Sequence, residues 1–257
     1  MHRTTLPLLA TLIATTIAIA IATAASQPLP RPLKPYTAVA VTLPPASTDE
    51  SFTAFRAALA AVAKHRVYAE LELLVRAQDF FWNRDFIDSF DPRKPAVDNL
   101  AAAIQLENHD GIGWRILAAF AAESTAEPLE SRPGVVCAPA RPGFDGVAFA
   151  KLLDATYTGG YDWAFPVADK TSVRGTPGPH SAAIGIIGLH FVRFLGYESA
   201  NGEPSPGRTQ WARIVTPDAK VGFVAPGSLM SLTAERLCYT KDLVGGWRIT
   251  GYTAGGG

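Results

Sequence analysis

The sequence has no surplus of either charge: 23 Lys and Arg balance 23 Asp and Glu over 257 residues. It has no basic run either, so nothing in it draws nucleic acid or an anionic membrane surface, and neither partner is expected. H-E-x-x-H, G-x-S-x-G, P-loop and dinucleotide fingerprints are all missing. No catalytic residue and no cofactor are therefore assigned. His65, His109, His180 and His190 are scattered along the chain. A metal site needs three or more converging ligands, so no metal is expected. No twin arginine and no cysteine accompany the N-terminal apolar segment, which argues against the twin-arginine route and a lipid-modified N-terminus. Charged residues make up only 18% and hydrophobic ones 48%, the balance of a folded chain rather than a disordered one.

What is present begins at the N-terminus. Arg3 precedes an apolar run from Leu6 to Ile21, which ends in the small residues Ala22-Thr23-Ala24. This is the layout of a secretory signal peptide, with cleavage expected between Ala24 and Ala25. The competing reading is an uncleaved anchor, because Leu8 to Ala25 is nearly long enough to span a bilayer. Export sets the context for Cys137 and Cys238, the only cysteines. In an oxidising compartment the even count fits a disulfide closing roughly 100 residues. Two buried thiols that never meet are the other reading.

Prolines at 28, 30, 32, 35, 44 and 45 predict a stiff, extended spacer. Within it Val39 and Val41 alternate, as in a short strand over Thr37–Leu43. Helical spacing follows. Ser47 and Glu50 have capping-box separation, and Phe52, Phe55, Leu59 and Val62 line one face. The segment 49–78 reads as two helices or one broken helix. Further helices are expected over 95–107, 114–123 and 145–156, and Tyr161–Val167 reads as extended. The final third changes period. Short apolar runs at 172–174, 184–187, 191–195, 211–215, 221–224 and 247–252 alternate with Gly, Pro, Asp and Ser, predicting several short strands in a small barrel or sandwich. Val192, Phe194 and Ile214 are its expected core, with Arg193 facing water.

Two blocks in this third resemble the bacterial SH3 family. The first runs Val173-Arg174, Pro177, Ser181-Ala182-Ala183-Ile184-Gly185, Gly188 and Phe191-Val192-Arg193-Phe194-Leu195. The second is Trp211-Ala212-Arg213-Ile214-Val215, Pro217-Asp218-Ala219-Lys220 and Val221-Gly222-Phe223-Val224. Phe223 stands where the family often has Trp, and Ala219 replaces a turn glycine. The whole also resembles exported proteobacterial proteins that join an uncharacterised N-terminal half to an SH3-like module. That likeness is carried by Cys137-Ala138-Pro139, Leu237-Cys238-Tyr239 and Gly246-Trp247-Arg248-Ile249-Thr250-Gly251-Tyr252. It implies that the tail hairpin belongs with the N-terminal half and that the cysteines flank an inserted barrel.

The expected fold class is α+β, a helical N-terminal half followed by a small SH3-like β-barrel, with a C-terminal β-hairpin packed on that half. The expected segments are a signal peptide (1–24), a Pro-rich linker (25–46), a helical domain (47–128), a connecting segment (129–170), the SH3-like barrel (171–232), and a hairpin and tail (233–257).

Two places are candidates for function. On the barrel, Tyr197, Trp211 and Phe223 are binding candidates, since aromatics anchor extended peptides in grooves; a core role competes for Trp211. Upstream, the stretch 79–91 interleaves Asp79, Asp85, Asp88 and Asp91 with Phe80, Phe81, Trp82, Phe86 and Phe90. It reads as an aromatic core corner with solvated charges, or as the paired-carboxylate cleft of a cell-envelope hydrolase. The leading expectation is a periplasmic or secreted, non-catalytic binding or structural protein whose SH3-like module engages peptidoglycan peptide or a periplasmic protein. No stable membrane insertion is expected once the signal is cleaved.

Overall fold

The computed structural model describes residues 33–83, 90–200 and 210–253. The expected cleavage point at Ala24 and Ala25, and the carboxylates Asp85 and Asp88, lie outside the described residues. The fold is mixed α+β, with five α-helices and three sheets among the described residues.

A two-residue strand, β1 (Val41–Thr42), precedes helix α1 (Glu50–His65). The cap of α1 is Asp49 rather than Ser47: its carboxylate accepts the Phe52 N–H at 3.0 Å. Ser47 acts one step earlier, accepting the Asp49 N–H at 3.3 Å. The apolar face read from the sequence is the buried one, with Phe52, Phe55, Leu59 and Val62 all in the core. Arg66 then turns left-handed (φ 59°) and ends the helix. Next come α2 (Tyr68–Leu74), β2 (Phe81–Asn83), α3 (Ala96–Ala103) after Pro95, and α4 (Ile112–Ala122) after Gly111. A Cβ on Gly113 would stand 2.4 Å from the Leu106 Cα, so glycine lets α4 start against the backbone that follows α3.

The chain continues through β3 (Glu127–Pro128), β4 (Val135–Ala138) and β5 (Gly143–Phe144). Helix α5 (Gly146–Thr156) follows; the Asp145 carboxylate caps it by accepting the Val147 and Ala148 N–H groups. Then come β6 (Trp163–Pro166), β7 (Thr171–Arg174), β8 (Ala183–Ile187), β9 (Val192–Ser199), β10 (Gln210–Val215), β11 (Val221–Val224) and β12 (Leu229–Ser231). The hairpin β13 (Arg236–Lys241) and β14 (Trp247–Thr253) completes the fold.

The hairpin is central to a five-stranded sheet ordered β2-β14-β13-β4-β3. Helices cover one face of it. Leu237, Tyr239, Ile249 and Tyr252 from the hairpin share one core with Phe52, Leu59, Leu71, Leu100 and Leu117 from α1–α4. The Phe52 and Phe55 rings meet Tyr239 edge-on, with centroids 5.1 and 5.7 Å apart. The last strands of the chain thus complete the hydrophobic core of its first helices.

Strands β6 to β12 form a second sheet, ordered β12-β6-β9-β10-β11-β7-β8. Val192 and Ile214 lie in its core with Val173, Ile187 and Val224, and Phe194 packs against them. The expected segment began at residue 171, yet β6 is built into this sheet between β12 and β9. All four β6 residues are buried, so the strand shows no alternation of apolar and polar residues. Among the described residues β12 and β8 end the sheet without a ladder joining them, so it is open rather than a closed barrel.

The described part of the Pro-rich stretch packs against this sheet. The Tyr36 hydroxyl donates to the Val215 carbonyl at 2.8 Å, and Ala40 bridges His190. Val39 and Val41 join Phe149, Leu152, Trp163, Phe165 and Phe191 in a third core. Among the described residues no helix is long and apolar enough to cross a membrane.

Candidate functional site

The three aromatic candidates sit on adjacent strands, and the pairing register sorts them. Arg213 of β10 stands opposite Phe223 of β11, and Ala212 stands opposite Tyr197 of β9. Side chains of directly opposed residues share a face, and neighbours along a strand alternate. Trp211 and Phe223 therefore lie on the face that carries Arg213. Tyr197 lies on the other face, with Ala212 and Ile214. The trio does not converge on one groove.

Burial separates them further. Trp211 is 5% exposed and Phe223 8%, which makes both core residues. Tyr197 is 62% exposed, and its ring meets Phe194 with centroids 5.0 Å apart. Between these two rings the register slips: Gly196 opposes Arg213 and Phe194 opposes Ile214, so Leu195 is an extra, partly exposed residue in β9. The bulge brings Phe194 and Tyr197 together on the core side of the strand, where Tyr197 projects into solvent. On the opposite face, Arg213 and Glu198 form an ion pair at 3.1 Å across β10 and β9.

The 79–91 stretch is a core corner where it is described. Phe80, Phe81 and Trp82 are buried, and Asp79 pairs with Arg76 at 3.3 Å. Asp91 binds Arg93 through both carboxylate oxygens at 2.9 and 3.0 Å, which holds its carboxyl below the usual range. That shift is opposite in direction to the raised value a general-acid carboxyl needs.

His65 faces Glu70 at 3.3 Å, and His109 and His180 are exposed. His190 is half-buried in the β-bridge to Ala40, and burial lowers its pKa below the ordinary imidazole value. No group of three or more His, Cys, Asp or Glu among the described residues is placed to hold a metal.

Cys137 and Cys238 face each other across β4 and β13, with their sulfurs at bonding distance, 2.02 Å. Both residues are fully buried. Beside them stands Arg236, which sequence reasoning missed. Its guanidinium donates to the carbonyls of Pro139 and Cys137 and pairs with Glu127 at 2.8 Å. Arg141 shares that carboxylate at 3.0 Å. Burial pulls the Arg236 guanidinium below its usual pKa, and Glu127 opposes the shift. A cleft of about 10 Å³ lies against Arg141, Arg236, Phe165, Met230 and Ser231, room for about one water rather than a substrate. A lone arginine beside a threonine-and-cysteine strand carries no sequence signal of burial; only the meeting of β3, β4 and β13 creates it. No protein-family pattern matches the chain, and no curated protein or solved structure matches it.

Proposed function

We propose that this chain is an exported, non-catalytic binding protein whose seven-stranded sheet is an SH3-like module, and that the module engages cell-wall peptide through the surface around Tyr197. The exposure of Tyr197 beside Phe194 and Leu195 carries the reading, since the other two aromatic candidates are consumed by packing. A half-exposed aromatic with a neighbouring aliphatic gives an extended peptide an apolar anchor. The SH3-like assignment is supported by Ile187 and Leu229. They come from strands at opposite ends of the sheet order, yet both pack on one core, as strong curling requires. Export is supported by the signal-peptide layout of residues 1–24 and by a buried Cys137–Cys238 pair at bonding distance.

The test is co-sedimentation of the purified protein with insoluble peptidoglycan, comparing the parent with Tyr197→Ala. A point change is the right probe, because deleting residues 171–232 would strip β6 of both its neighbours. Binding that falls with Tyr197→Ala supports the reading. No binding by the intact protein overturns it.

A further inference from the structure

Five residues form a single row across the five-stranded sheet. Glu127 opposes Cys137, Cys137 opposes Cys238, Cys238 opposes Gly251, and Gly251 opposes Phe81. The Phe81 ring lies over Gly251: three of its carbons come within 2.5 Å of where a Cβ would stand. It packs there on the two cysteines, with Leu129 and Val135 at the margin. The Arg132 guanidinium, from the turn between β3 and β4, lies over the Phe81 ring at 4.1 Å from its centroid. The sulfurs thus lie beneath a phenyl ring, and the ring beneath a cation. The ring is carried by β2, a three-residue strand at the edge of the sheet whose ladder is a parallel one to β14.

We propose that Phe81 and Arg132 cap the Cys137–Cys238 disulfide, and that displacement of the Phe81 ring and Arg132 at the sheet edge, not global unfolding, is the event that admits a reductant. Arg132 is exposed and Phe81 stands on the edge strand, while Phe80 and Trp82 on either side of it anchor β2 in the helical core, so the ring and its cation move aside at lower free energy than the core opens. Once the ring moves aside, a dithiol reacts by ordinary exchange. Its thiolate attacks one cysteine sulfur, the S–S bond breaks, and the other cysteine leaves as a thiolate that takes up a proton. The second thiol of the reagent then attacks the mixed disulfide, freeing the remaining cysteine and closing the reagent into its oxidised ring. Two electrons pass from the dithiol to the protein. The cap therefore makes the bond inert while the Phe81 ring is seated and labile whenever something displaces it.

The experiment follows reduction of the purified, oxidised protein by dithiothreitol, trapping free thiols by alkylation over time. Four proteins are compared: the parent, Phe81→Leu, Arg132→Ala, and Ile214→Val as a control in the core of the other sheet. Arg132→Ala removes only an exposed side chain, so it keeps the test open if Phe81→Leu folds poorly. The cap variants are expected to be reduced about tenfold faster than the parent, the control at the parental rate, and the parental rate to change little with low urea, as local opening exposes little surface. A steep urea dependence overturns the proposal. So does equal acceleration in the control at equal loss of stability, or a parental rate in both cap variants.

Discussion

Asp49 and Lys241 meet at 3.2 Å although 192 residues separate them in sequence. Asp49 caps the first helix, and Lys241 ends the first strand of the tail hairpin. The same junction holds a hydrogen bond from the Trp247 indole to the Ser51 hydroxyl at 3.0 Å, and Lys241 lies over the Trp247 ring. The helix cap is therefore also the clasp between the two ends of the described chain.

That clasp predicts an acid limb in the stability profile. The Ser51 hydroxyl, then the Phe52 N–H, then Lys241 hold the Asp49 carboxyl at about 2, below its ordinary 3.8. A lowered carboxyl stabilises the fold fully above the unfolded value, and its contribution is lost as pH falls from near 3.8 toward 2. Thermal melts across that range should show a shallower acid limb in Asp49→Asn than in the parent. Parallel curves would remove Asp49 as the cause.

His190 predicts a limb at higher pH. Burial lowers its pKa, so the folded state favours the neutral ring. This contribution is present above the unfolded value of 6.5 and is lost as pH falls through the lower folded value. His190→Gln should flatten the stability profile below pH 6.5, measured by denaturant midpoints at several pH values.

Gly251 predicts a steric limit. Gly251→Ala places a methyl into the Phe81 ring and should destabilise by roughly 1–3 kcal/mol, the range for overpacking a core. Urea unfolding reads the loss, and Phe81→Leu in the same chain should return part of it by vacating the clash.

The aromatic trio predicts a split between binding and stability. Trp211→Ala should cost roughly 3–5 kcal/mol, as truncating a buried aromatic does. Tyr197→Ala should change stability by about 0.5 kcal/mol or less, as at an exposed site. Unfolding curves of the two variants decide this, and a large loss for Tyr197→Ala would place that ring in the core instead.

Periodicity determined much of the local structure. Phe52, Phe55, Leu59 and Val62 lie at helical spacing and are buried together, because a helix that long has one stripe to hide. Val192 and Ile214 are likewise buried on the core side of β9 and β10 with Phe194 packed against them, as their alternation predicts, although Phe191 and Val215 beside them are buried too and Arg193 is only partly exposed. Sequence alone left the pairing of Cys137 with Cys238 open, since bonding depends on two strands 101 residues apart lying in register. It did not separate Tyr197 from Trp211 either. All three aromatic candidates stand on strands, and only the register of β9, β10 and β11 and the bulge at Leu195 decide which ring faces water. Nor did it reveal β6 as part of the larger sheet, because a strand buried on all four residues has no alternation to read. Local spacing records which side of an element is apolar; which element covers that side is decided by contacts between residues far apart in the chain, such as Phe81 over Gly251 and Asp49 against Lys241.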